Sequence, residues 1–504
     1  MFVVSQLRSR LRVHPGKPNL ATGNAWGRVM HRYLLVAAGV AWATTCTVCA
    51  APVAPRNLLG EMQALTTDLS RYSFLVAAMP RLSNTDQPMA QQLLASTEAE
   101  LGLYSEAVRD FPLRTLLPAK LTLPTAADWH GVDAVDAIVG LARGRRIVMV
   151  NEAHHDPQTR VLTLELLPRL RALGFTHFAA EAFDERDTDL SKRGYPVSRS
   201  GSEYLREPLY GDIVREAIRL GYIIVPYDAN GTPQEREDGQ ARNLYERVFA
   251  TNPEAKLFVH AGYAHIDKRR ARLGPVTPMA MKLGKLSGIE PLSIDQTDIR
   301  EENPRSEALA YHAFEHALRK FETALQPVQQ RPGSGPGDVP QRPAMDTYDR
   351  LIAEFHPAHA IVLLRNADQT PWSARPAVYD LNVIQPPANT ASSDYSRGPI
   401  VLDIGGRKAP VLPPANGGHR PDWLTLGGQR IALPIDSGSC GGNYPCLVEA
   451  GYAAEPSDAV AADRYVFLQK AKNVLYLRPG SYRLRTVNAD GRTLDEHDVQ
   501  VAKP

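Results

Sequence analysis

Cysteine is scarce in this chain: four in 504 residues, at 46, 49, 440 and 446, which excludes a disulfide-built scaffold. Aromatic residues make up only 7%. The apolar run at 33–43 has eleven residues, far short of the ~20 that a membrane-spanning helix needs. Several catalytic signatures are missing as well. There is no HExxH, no Gly-x-Ser-x-Gly, no GxxxxGK[ST] and no GxGxxG opening a helix after a strand, which removes zincin, serine-triad, nucleotide-hydrolysing and dinucleotide readings. Acidic residues are absent from the first fifty positions, which carry Arg8, Arg10, Arg12, Lys17, Arg28 and Arg32.

That local absence hides the true charge. Without those six cations, 51 basic residues face 55 acidic ones, and no basic run remains to seek a phosphate backbone. Nucleic acid is therefore not an expected partner. The segment itself reads as an address. His31 and Arg32 precede the run Tyr33–Ala43, and small residues reach Val48, Cys49 and Ala50, which suits a cleavable export signal ending before Ala51. Met30 is an alternative start that would give a signal of conventional length. Cleavage would leave no stable membrane span and only two cysteines, Cys440 and Cys446, spaced to close one small disulfide loop in an oxidising compartment, periplasmic or secreted.

What is present is a globular composition, 43% hydrophobic and 22% charged, long enough for about three domains. Residues 51–128 carry helical-period apolar positions, including Leu58, Met62, Leu65 and Leu69, and read as a helical lead-in. Residues 129–390 alternate short apolar runs with amphipathic stretches. Runs at 146–150, 177–180, 222–226, 256–259, 290–294 and 360–364 predict a layered α/β fold with a largely parallel sheet flanked by helices. The first connecting helix is expected to start with Asp156 as N-cap and Pro157 at its first position, with Pro168 interrupting it. Residues 326–345, rich in Pro, Gly and Gln, read as a linker or exposed loop. Residues 395–504 change to alternating runs, with a hairpin at 482–487 turned by 488–491, and predict an all-β accessory domain.

In open parallel sheets ligands bind beyond the carboxyl ends of the strands. Here those ends read Asn151-Glu152-Ala153-His154-His155, then Glu181, then Asp228, then His260-Ala261-Gly262-Tyr263-Ala264-His265, then Asp295. A single strand-end carboxylate or histidine usually caps a helix. Five successive strands delivering them to one rim instead predict an acid/base or metal-binding site. Side chains on an extended segment alternate, so Glu152 and His154 share a side, and His155 shares it only if the turn rotates. His155 would lie beside the next helix's N-terminus, which favours a neutral imidazole.

Four short motifs in this order resemble the erythromycin esterase, ChaN-like haem-binding and Tiki/TraB superfamily. They are NEAHH at 151–155, Gly174-Phe175 with Glu181, Arg236-Glu237 with Ala241 and Asn243, and Gly262-Tyr263-Ala264-His265. The resemblance covers roughly residues 130–300. It implies an α/β fold with a Glu/His site formed by Glu152, His154 or His155, Glu181, Arg236 and His265. It further implies either water activation against an ester, lactone or amide of a small-molecule or peptide substrate, or haem binding without turnover. A divalent metal on Glu152, His154 and His265 is the variant that Tiki-like members imply. Two positions depart from the pattern: Asn151 stands where the family has Gly, and Gly262 where the esterases have His.

Overall fold

A computed structural model describes residues 58–83, 86–113, 115–302, 346–388 and 398–503. The export segment at 1–50 and the linker at 326–345 lie outside the described residues. The lead-in folds as four helices: α1 (Leu58–Gln63), α2 (Asp68–Ala78), α3 (Gln87–Glu100) and α4 (Tyr104–Asp110). Thr67 opens α2 through a reciprocal cap with Ser70, which satisfies a backbone donor that the first turn cannot.

The central element is an eight-stranded sheet. Its strands are β1 (Trp129–Asp133), β2 (Ile147–Glu152), β3 (His177–Ala180), β4 (Ile223–Pro226), β5 (Leu257–Gly262), β6 (Leu292–Asp295), β7 (Ile361–Arg365) and β8 (Leu381–Ile384). Their spatial order is β1-β7-β8-β6-β2-β5-β3-β4. The six strands from β8 to β4 run parallel, and β7 and β1 close one edge antiparallel. β1 and β8 were not expected from the sequence. WHGVD is short, polar and interrupted by Gly131, and LNVI has four residues, so neither makes a distinct apolar run.

Alternation along β2 shows why helices cover both faces. Val148 and Val150 pack with α5 (Ala134–Ala142), α6 (Gln158–Ala172) and α7 (Pro208–Arg219), whereas Ile147 and Met149 pack with α8 (Pro233–Leu244) and α9 (Met279–Ser287). Burial on both faces is what makes these strands near-continuously apolar. The helix α6 starts one residue later than expected, with Asp156 still accepting from Gln158 N at 3.2 Å. It continues through Pro168 to Ala172, so the proline, where a kink is expected, lies inside the helix and does not end it.

Beyond residue 398 the chain is β-rich, as expected. A hairpin joins β9 (Ile400–Ile404) to β10 (Arg407–Val411), β11 (Ile431–Asp436) pairs β14 (Lys472–Leu477), and a four-stranded sheet takes β12 (Cys446–Tyr452), β13 (Asp463–Phe467), β15 (Gly480–Asn488) and β16 (Thr493–Val501). Cys440 and Cys446 form the disulfide. This region is fastened to the rest by ion pairs: Arg464 to Asp68 at 3.0 Å, Arg430 to Asp212 at 2.6 Å, and Arg215 to Glu455 at 2.6 Å.

Candidate active site

Register determines which side chains meet. β5 lies between β2 and β3, with Glu152 opposite Gly262 and Ala180 opposite His260. The ends of three adjacent strands therefore deliver Glu152, Glu181 and the 262–265 turn to one place, beside a cleft of about 500 Å³ lined by His154, Glu181, Arg236, Gly262 and His265.

Glu152 is buried and lies under this cleft. Its Oε1 accepts from His154 Nδ1 at 2.9 Å, while Oε2 is paired with Arg160 and lies 3.3 Å from His260 Nε2. Burial alone would raise its pKa, but Arg160 and the hydrogen bonds from His154 and His260 hold the carboxyl well below the usual range. A carboxylate at Nδ1 fixes the proton there and turns the Nε2 lone pair outward. Nε2 of His154 has no hydrogen-bond partner among the described residues, and the side chain is 17% exposed. Its ring stacks on Tyr204 at 3.9 Å and meets the edge of Tyr263 at 5.0 Å, so the imidazole is held on two sides.

His155 takes the opposite course. It is fully buried, its ring stacks on Phe111 at 3.5 Å, its Nδ1 is 3.0 Å from Tyr263 Oη, and Nε2 accepts from Arg300 at 2.9 Å. Burial first, then Arg300, hold it well below the ordinary histidine pKa. The expected neutral imidazole is therefore present, but its causes are burial and Arg300, and it does not line the cleft. The turn places one histidine at the cleft and the other behind it.

Glu181 is the carboxylate across from His154. Its Oε2 accepts from Gly262 N at 2.6 Å, and its Oε1 accepts from Arg236 at 2.5 Å and lies 3.5 Å from His265 Nε2. Burial opposes its ionisation, but His265 and Arg236 prevail and hold its pKa well below the usual range. Arg236 also reaches Asp228 at 3.0 Å. His265 sits between Glu181 and Glu237, whose Oε1 is 2.6 Å from Nδ1. Burial lowers its pKa, yet Glu237 and Glu181 push it up to about 10, so it is an imidazolium at neutral pH.

Gly262 is the point of closest approach. A Cβ there would stand 2.7 Å from His154 Nε2 and 3.0 Å from Glu181 Oε2. The two atoms are therefore no farther apart than the sum of those lengths, a gap that one water molecule spans. The same crowding leaves no room for a side chain at residue 262. Tyr263 follows with a left-handed backbone, φ 44°, a conformation costly for a non-glycine residue and common at functional sites. Asn151, the other departure, donates to Tyr263 O at 2.7 Å and to Asp295 Oδ1 at 2.6 Å. It braces the turn from the strand beside it. Asp295 itself is taken by Arg272 at 2.5 Å and serves that brace.

The structure thus brings together Glu152, His154, Glu181, Arg236 and His265, and sets His155 apart. The ligand set expected for a metal does not converge. The oxygens of Glu152 face His154 and Arg160, and the nitrogens of His265 face Glu237 and Glu181 beside Arg236. No group of three His, Cys, Asp or Glu side chains suited to a metal ion occurs among the described residues. Haem fits no better: His155 has both nitrogens committed, and the open nitrogen of His154 faces a carboxylate rather than a broad apolar slot. Neither group enters the chemistry derived below.

Arg160, Glu207 and Tyr204 were missed by sequence reasoning, and Glu237 stood in a motif without a role. Arg160, a cation among the apolar positions of α6, was the one with a visible signal, and it joins Glu152 to Glu207 at 2.9 Å. His260, one of the strand-end residues, is buried against Thr163 at 2.9 Å.

No protein-family model matches the chain, and no curated protein matches it significantly. Solved structures give distant likenesses. One described as bacterial protein toxins is 16% identical over 33% of this chain and 38% of that one, with TM-score 0.25. The type III effector HopBA1 is 15% identical over 36% and 85%, with TM-score 0.24. RRSP, a MARTX toxin effector domain from Vibrio vulnificus CMCP6, is 16% identical over 47% and 55%, with TM-score 0.26. At such scores they carry no argument about what this chain does.

Proposed function

We propose that the chain is an exported hydrolase that activates water at His154 against an ester, lactone or amide of a small-molecule or peptide substrate. The observation that supports this most is the pair of buried Glu152 and half-buried His154, which turns Nε2 to the cleft opposite Glu181, a carboxyl held well below its usual range by His265 and Arg236. Water held between Nε2 and Glu181 loses a proton to Nε2 as its oxygen bonds to the carbonyl carbon. The bond to the leaving group then breaks, and the departing oxygen or nitrogen takes the proton from His154. Arg236 and His265 keep Glu181 ionised and supply positive charge near the developing oxyanion. The disulfide and the signal-like pattern at 33–50 support export.

The test uses the chain from Ala51 onward with a panel of nitrophenyl esters and lactones. Glu152→Gln, which loosens the Nδ1 tautomer, is expected to lower kcat by about 10²- to 10⁴-fold with KM little changed. Equal turnover in the two proteins would overturn the reading.

A further inference from the structure

A second cavity, of about 340 Å³, lies behind the cleft, walled by Val76, Met79, Leu94, Phe111, Leu113 and Val411. Phe111 and Leu113 also line the cleft, so the two spaces share a wall. The cavity is built mainly by the helical lead-in and the β9–β10 hairpin. Phe111 cannot swing freely, because His155 is stacked on it and Arg300 lies 5.5 Å from its ring centre.

A polar end interrupts the apolar lining, formed by Gln91, Glu98, Glu106, Arg109 and Asp110. Glu98 is 3% exposed, and its Oε2 has no hydrogen-bond partner among the described residues. Burial and the neighbouring Asp110, which is hydrogen-bonded to it, push its pKa well up. A ligand hydroxyl or amide would satisfy the open oxygen.

We propose that this cavity holds an apolar arm of the molecule whose scissile group lies at His154. The substrate is then an amphiphile whose aliphatic chain passes over Phe111 and Leu113 and offers one O–H or N–H to Glu98. The assignment rests on the hydrolytic reading of the cleft. Together the two spaces fall within the size range of small-molecule sites.

Two measurements keep the assignment and that reading apart. In the first, kcat/KM for nitrophenyl esters is followed from butyrate to decanoate. It is expected to rise at least about tenfold, since each buried methylene is worth ~0.8 kcal/mol. Leu94→Trp fills the cavity and collapses that ratio, and Leu113→Trp at the shared wall does the same should the first variant not fold. In the second, decanol competes with anilinonaphthalene sulfonate on the Glu152→Gln protein. Binding is expected, and its loss on adding Leu94→Trp places the chain in the cavity. Rates independent of chain length, with no decanol binding, overturn the cavity assignment and leave the hydrolase standing. Decanol binding that Leu94→Trp abolishes, with every ester inert, supports the cavity and overturns the hydrolytic reading. Glu98→Leu is expected to remove a preference for decanediol over decanol; an unchanged preference overturns the role of Glu98.

Discussion

Two regions of this protein are dense in buried charge, and they use it differently. Where the C-terminal β region meets the helices, carboxylates are consumed by arginines: Asp463 by Arg420 at 2.5 and 2.8 Å, Asp212 by Arg430, and Asp68 by Arg464. At the sheet rim Glu152, Glu181 and Glu237 are as thoroughly engaged, but the chain of contacts ends on a ring nitrogen that no protein group occupies. A network closed on itself acts as a joint, whereas one with an open end at a cleft is equipped to move a proton. The number of ion pairs does not distinguish the two, and neither does an unmatched atom, since Arg420 Nε, Arg430 Nη1 and Arg464 Nε are unmatched at the joint; an imidazole nitrogen that opens on a cleft does.

The contrast can be broken at either region. Replacing His154 by Ala removes the open end and is expected to lower kcat by about 10²- to 10⁴-fold, with the melting temperature nearly unchanged because the ring is partly exposed. Arg420→Met at the joint should do the reverse. It strands the buried Asp463 and is expected to cost about 3–5 kcal/mol, read by denaturant unfolding, with any surviving folded enzyme retaining its kcat. Gly262→Ala sharpens the comparison. The added methyl would press on His154 and Glu181, so a loss of about 10²-fold in rate is expected from misplacement alone, visible in kcat at unchanged fold by circular dichroism.

Alkaline pH gives the smallest effect and separates the regions by window. At the joint, burial first and Asp68 next raise Glu100 from 4.5 to about 8. The folded state holds a proton that the unfolded chain releases, so stability present below 4.5 is lost as pH rises through about 8. At the rim His265 is raised from 6.5 to about 10, and its contribution, complete below 6.5, is lost as pH rises through about 10. Thermal melts should show Glu100→Gln flattening the first decline and His265→Gln the second. Identical profiles for both variants would contradict the distinction.

Much of the rim was readable because strand-end residues need only the strand pattern to place them. Glu152, Glu181 and His265 follow from apolar runs that end in polar residues. The choice between His154 and His155 was not readable, since it depends on a turn in which Ala153 bridges to Asp156. Tyr204 and Phe111 come from segments with no strand or strong helical period, and they reach the histidines only through tertiary packing. The walls of the second cavity were invisible for the same reason: they are assembled from chain segments more than three hundred positions apart. The strands β1 and β8 escaped notice because pairing, not composition, makes them strands.

The Asp68–Arg464 contact joins residues 396 positions apart. For a chain made from its N-terminus, this sets an order of assembly. The rim, drawn from residues 147–265, can form from a continuous stretch as soon as it emerges, whereas the lead-in helices, whose Asp68 also pairs with Arg71 and Arg206, gain Arg464 only when the final strands arrive. Such long-range closure slows folding. Assembly would then have two stages, with the sheet rim laid early and the compartment behind Phe111 finished last. A newly made chain would shape the floor of the cleft before it closed the space behind it.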